Sequence, residues 1–129
     1  MPNSTTEKIV TLRPSKTPLP GRPVRGSGSG RPIMAALNLL SRRWVLRIIW
    51  ELRKTAKGFR DLQALCDQMS PNTLSTRLAE LREAGIVGHD ADGNWALTPL
   101  GRKLGPALKA LDTWSAEWEH ELKSSNTID

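Results

Sequence analysis

The run from Ser70 to Pro99 limits the fold more than any other part of this chain. It opens on Ser-Pro, where a serine hydroxyl can cap free amides and proline suits the first helical position. NTLSTRLAELREA follows, with Leu74, Leu78 and Leu81 spaced along one helical face. Gly85 stands where a helix can end in positive φ. IVGHDADGNWALT then reads as two short strands around an Asp-Ala-Asp-Gly turn. Thr98-Pro99 repeats the cap-and-proline signal and opens a long last helix. Its apolar stripe is Leu104, Leu108, Leu111, Trp114, Trp118 and Leu122, and Pro106 inside it is expected to bend it.

Three further helices are legible ahead of that run. Residues 32–40 hold the short apolar stretch MAALNLL, broken by Ser41-Arg42-Arg43. WVLRIIWEL places Trp44, Val45, Ile48, Ile49 and Leu52 on one face, with Arg42 and Arg43 at its start. From about Arg60 a third helix turns Leu62, Leu65, Cys66 and Met69 inward. The order is four helices, a hairpin and a helix, and the tight link between the third and fourth makes a helix-turn-helix. The expected fold is mainly α with a small β-hairpin wing, a winged helix-turn-helix whose fourth helix is the recognition helix.

Residues 1–31 differ in kind. Prolines at 2, 14, 18, 20 and 23 and the stretch RGSGSGR predict an irregular, flexible arm, with Lys8–Arg13 a candidate edge strand. The domain is expected over 32–123, with a disordered tail over 124–129. The net charge of +6 is uneven. Residues 1–32 carry six basic side chains against Glu7 alone, whereas the rest carries 13 basic and 12 acidic ones. A basic arm on a nearly neutral domain suits nucleic acid, and equally suits a solvated leader. No apolar run spans a bilayer, and MPNSTTEKIV has no signal-peptide core, so a cytoplasmic protein without a membrane partner is expected. A single cysteine fits that compartment.

Arg31-Pro32-Ile33, SRRWVLRIIWEL, FRDLQALCDQMSPNTLSTRLAELREAGIV and LTPLGRKL together resemble the HxlR family of bacterial transcription regulators, related to the MarR group. The resemblance covers roughly residues 31 to 120. It implies winged domains that dimerise and bind operators. It also implies, for many members, sensing of electrophiles by a cysteine just before the proline that opens the first helix. Arg31 holds that position here, so the redox switch does not carry over.

On the recognition helix, Asn72 and Thr76 point away from the leucines and Thr73 lies on the flank. These are the candidates for contact with bases, since Asn can read adenine bidentately and Thr can meet a thymine methyl. Lys57, Arg60 and Arg77 are candidates for phosphate contact. Arg77 has a second reading as the partner of Glu80 or the third helix, while Glu80 and Glu83 are expected to face outward. Arg22, Arg25 and Arg31 could place guanidinium groups in the minor groove, as flexible arms do. Leu37, Leu40, Leu108, Leu111, Trp114, Trp118 and Leu122 are the expected dimer interface.

Cys66 reads as core rather than sensor. His89 with Asp90 and Asp92 is too crowded in a turn for a metal, and no metal or other cofactor is expected. Five tryptophans leave room for a small-molecule effector pocket. No nucleophile with a base, no paired carboxylates and no phosphate-binding glycine loop point to an enzyme. Two readings remain: a homodimer that binds double-stranded DNA at a palindromic operator and regulates transcription, and a winged-helix protein-interaction module without specific DNA binding.

Overall fold

A computed structural model describes residues 17–25 and 27–128. The candidate strand Lys8–Arg13 lies outside them. Two compact units divide between Leu39 and Leu40. In the first, the described residues between 17 and 31 close on themselves rather than run open. The Gly21 amide donates to the Gly30 carbonyl at 2.9 Å, and Val24 and Ser27 exchange two backbone bonds inside that ring. Gly30 has φ +70°, and a Cβ there would lie 2.1 Å from the Arg22 carbonyl oxygen, so only glycine allows the closure. Helix α1, Pro32–Leu40, follows and buries Ala35 and Leu39, four residues apart on one face.

The second unit contains α2 (Val45–Leu52), α3 (Phe59–Leu65), α4 (Pro71–Glu83), β1 (Val87–His89), β2 (Trp95–Leu97), α5 (Pro99–Arg102) and α6 (Gly105–Ile128). This is the mainly helical winged fold with its hairpin. Val45, Ile48, Ile49 and Leu52 of α2 are buried together with Leu62, Cys66, Met69 and the three leucines of α4. Burying an aliphatic side chain of this size contributes about 1.5–3 kcal/mol. Helix α2 packs on α3 and β2, and α4 packs on β1.

Several local expectations change. Arg42 and Arg43 precede α2 in a turn, and Trp44 caps the helix with φ 77°, so the helix begins one residue later than its apolar face suggests. Leu65 is 38% exposed, because α3 ends there and the inward stripe passes from Leu62 to Cys66 and Met69. The last helix is divided. Lys103 and Leu104 form a turn between α5 and α6, so Pro106 is the second residue of a new helix, where its missing amide costs nothing, and it is not an interior kink. Helical turns then continue to Ile128, past residue 123.

The joint between wing and α5 explains the Leu-Thr-Pro-Leu-Gly motif. The Thr98 hydroxyl accepts the Gly101 amide at 3.0 Å and donates to the Gly85 carbonyl at 2.6 Å. The Thr98 amide donates to the Ile86 carbonyl at 3.0 Å. Gly101 is buried, and a Cβ on it would sit 2.2 Å from the Ile86 carbonyl oxygen. Gly85, at φ +79°, ends α4 and lets the chain turn into the hairpin. Gly101→Ala should therefore force α5 away from the wing and cost roughly 1–3 kcal/mol, as overpacking does. Urea unfolding checks it; an unchanged midpoint would mean that the joint has slack.

Candidate nucleic-acid interface

The turn from α3 to α4 is sharp because Asp67 and Gln68 both take left-handed backbone, φ 57° and 55°. Bonds made locally offset that cost: the Gln68 amide donates to the Gln63 carbonyl at 2.9 Å, and the Gln63 side-chain amide donates to the Met69 carbonyl at 2.9 Å. Ser70 then caps α4, its hydroxyl accepting the Thr73 amide at 3.5 Å, and Pro71 is the first helical residue. With Leu74, Leu78 and Leu81 wholly dry, the opposite side is decided: Asn72 and Thr76 are exposed, and Thr73 is half-buried on the flank. Ser75 and Ala79 are exposed as well. They line a groove with Phe59, Arg82, Glu83 and Trp95 between the recognition helix and the wing. Sequence reading passed over Ser75, Ala79 and Arg82, because that groove exists only once the hairpin packs beside α4.

The two flanks of α4 differ. One borders the groove. The other is tied to the turn before α2: Glu80 is ion-paired with Arg42 and, at 2.9 Å, with Arg77, whose Nε donates to the Arg43 carbonyl at 2.9 Å. Glu80 therefore does not face outward; its side chain is only 13% exposed. Arg77 follows its second reading, as the partner of Glu80.

Lys57 and Arg60 sit at the entry to α3. Lys57 exchanges two backbone bonds with Trp95, at 2.9 and 2.8 Å, which adds a single bridge to the hairpin. Its ammonium donates to the Thr55 hydroxyl at 2.6 Å. Arg60 is exposed and, with Gln63, Gln68 and Pro71, borders a second hollow where α3 and α4 meet. The hairpin pairs Val87 with Leu97, Gly88 with Ala96 and His89 with Trp95. At its tip the Asp90 carboxylate accepts the amides of Asp92 and Asn94, both at 2.9 Å, so turn formation explains the aspartate. His89 lies against Trp95, ring centres 4.0 Å apart. Among the described residues no three His, Cys, Asp or Glu converge as metal ligands.

In the first unit, the Arg22 guanidinium donates to the Thr17 carbonyl at 3.2 Å, while Arg25 and Arg31 are exposed. Of the residues expected at a dimer seam, Leu37 is exposed, Leu40 half-buried and Leu108 buried. Leu111, Trp114, Trp118 and Leu122 are each about half exposed, at 49%, 54%, 55% and 53%. Trp114 and Trp118 stack at 5.3 Å. A cleft of about 290 Å³ lies between Trp50 and Leu108, Leu111, Asp112 and Ser115 of α6. No helix among the described residues is long and apolar enough to cross a membrane.

A capped recognition helix, a tight turn ahead of it and a hairpin behind it define a winged helix-turn-helix protein. Residues 39–123 match the model of the HxlR-like helix-turn-helix family, and the chain belongs to that family. Its members are DNA-binding transcription regulators and not enzymes. The chain is 33% identical over 89 residues to YvaP of Bacillus subtilis (strain 168), an HTH-type transcriptional regulator, covering 64% of this chain and 82% of YvaP. Among solved structures it is similar to quinone-bound YodB of B. subtilis, with 27% identity and a TM-score of 0.61 over 66% of this chain and 94% of that one. It is similar also to a MarR-family regulator of Enterococcus faecalis V583, with 26% identity and a TM-score of 0.61 over 69% and 86% of the two chains.

Cys66 is wholly buried at the end of α3. Burial pushes its thiol pKa up, Arg47 pulls it down, and Glu51 and Asp67 push it up further. The folded state thus holds this proton more tightly than the unfolded state. Stability from this group is complete below the free-thiol pKa of about 8.5 and is lost as pH rises from there. The resistance of the parent to urea should fall above that pH, and Cys66→Ala should flatten the decline. Identical alkaline slopes for the two proteins would remove Cys66 as its cause.

Proposed function

We propose that the chain regulates transcription as a homodimer on a palindromic operator. The observation that carries this is the outward polar front of α4: Asn72, beside the Ser70 cap, and Thr76, one turn further on, are exposed on the N-terminal half of a recognition helix, the half that usually enters the major groove. Asn72, Thr73 and Thr76 read bases. Lys57 and Arg60 contact phosphate, while Arg77 is left to its carboxylate. Arg25 and Arg31 of the first unit supply positive charge that the nearly neutral domain lacks. The half-exposed stripe Leu111, Trp114, Trp118 and Leu122 is the seam, because apolar side chains at that spacing along one helix suit a copy of the same helix. The quinone-bound state of YodB makes a small planar organic molecule the effector class to try first, and the cleft beside Trp50 the place to look.

Selection of bound genomic fragments at two salt concentrations, followed by sequencing, tests the reading. A two-fold symmetric motif is the expected result, and fragments recovered without a shared motif would overturn it. With the motif in hand, Asn72→Ala and Thr76→Ala should each weaken the operator by roughly 1–3 kcal/mol and leave random DNA almost unchanged. Equal losses on both DNAs would reduce these residues to backbone contacts. Trp118→Asp should shift sedimentation from dimer to monomer. A parent that already sediments as a monomer would end the dimer reading.

A further inference from the structure

Glu80 holds two guanidinium groups from two different segments, Arg42 of the turn before α2 and Arg77 of α4. We propose that Glu80 is an internal counter-ion that withholds Arg42 and Arg77 from the DNA backbone and so limits sequence-independent binding. The inference rests on the operator-binding reading above. Arg77 directly follows Thr76 and lies one turn behind Thr73 on the same flank of α4. A guanidinium there stands beside the reading face, where phosphate contact is the ordinary role of arginine. Instead its fork is filled twice, by the Glu80 carboxylate and by the Arg43 carbonyl.

The enclosure makes this partnership durable. The side chains of Arg42, Arg77 and Glu80 are 24%, 22% and 13% exposed, so salt screens them less than a surface pair. Drawing both arginines onto DNA would strand a carboxylate in a mostly covered site, which is strongly unfavourable. A phosphate must therefore displace an intramolecular partner already in place. Outside residues 1–32 the chain carries 13 basic and 12 acidic side chains, so the two withheld arginines are two of only 13 cations on a nearly neutral domain. A domain without that capacity binds random DNA weakly, since such binding is almost wholly phosphate contact. Discrimination then depends on the base-reading residues.

Glu80→Gln removes the counter-charge and keeps the shape. On a short random-sequence duplex, its slope of log affinity against log salt should steepen by about 0.9 for each arginine released per subunit. Glu117→Gln, the same change of net charge on α6, should leave the slope as in the parent. Arg77→Gln should also leave the parent slope unchanged, yet remove about 0.9 per subunit in the Glu80→Gln background. A Glu80→Gln slope no steeper than that of Glu117→Gln would overturn the proposal. So would a shallower slope for Arg77→Gln alone, which stays informative if Glu80→Gln fails to fold. Salt elution from heparin is read in parallel because it needs no operator. If the parent binds no duplex even at low salt, the operator reading falls, and heparin decides the counter-ion: later elution of Glu80→Gln than of Glu117→Gln supports it, and equal elution overturns it.

Discussion

Leu74, Leu78 and Leu81 are dry, and the orientation of α4 follows from them. A helix with one face committed to the core has no freedom about which face it shows to the outside. The residues that read bases in the proposed reading are placed by that commitment: Asn72 and Thr76 point out, and Thr73 stays at the edge. The Ser70 cap and the left-handed pair Asp67 and Gln68 fix where the helix starts. The position of the reading face along the helix is therefore as well determined as its direction.

The back of α4 is held by a second set of constraints. Gly85 ends the helix, Thr98 bonds back to the Gly85 and Ile86 carbonyls, and Gly101 lets α5 approach within reach of the Ile86 carbonyl. The wing thus leaves α4 at a set angle. Lys57 pairs with Trp95 and extends that order to the segment before α3. Recognition helix, wing and α3 entry consequently form one braced surface. The groove lined by Ser75, Ala79 and Arg82 follows from that bracing, not from any local preference of those residues.

Charge is arranged with similar economy. Arg47 pairs with Glu51 and Asp67, Arg53 lies 3.6 Å over the Trp50 ring, and Arg42 and Arg77 share Glu80. Many of the domain's arginines thus have structural partners. Exposed cations such as Arg60, Arg25 and Arg31 are left to act at a distance. A nearly neutral total conceals this division, because it counts partnered and exposed charges alike.

Elements whose signals are local were legible in the chain before it folded. The Ser70-Pro71 and Thr98-Pro99 caps, the leucine spacing of α4, the Gly85 stop and the Asp-Ala-Asp-Gly turn each act within a few residues, and each starts or ends an element where it stands, although Thr98-Pro99 opens only the four-residue α5 and not the long last helix. The outward side of α4 was legible for the same reason, since helical periodicity needs no partner to be read. What depended on distant residues was not legible. Glu80 reads as an outward charge until Arg42, 38 residues away, is brought beside it. Leu65 reads as core until α3 ends on it. Pro106 reads as a kink until the turn at Lys103 and Leu104 makes it the start of a helix. The loop closed by Gly21 and Gly30 reads as open chain, because backbone pairing across eight intervening residues leaves no periodic trace in side chains. Periodicity and capping are properties of neighbours in the chain, whereas ion pairs, groove walls and ring closures are properties of neighbours in space, and only the tertiary structure decides which residues those are.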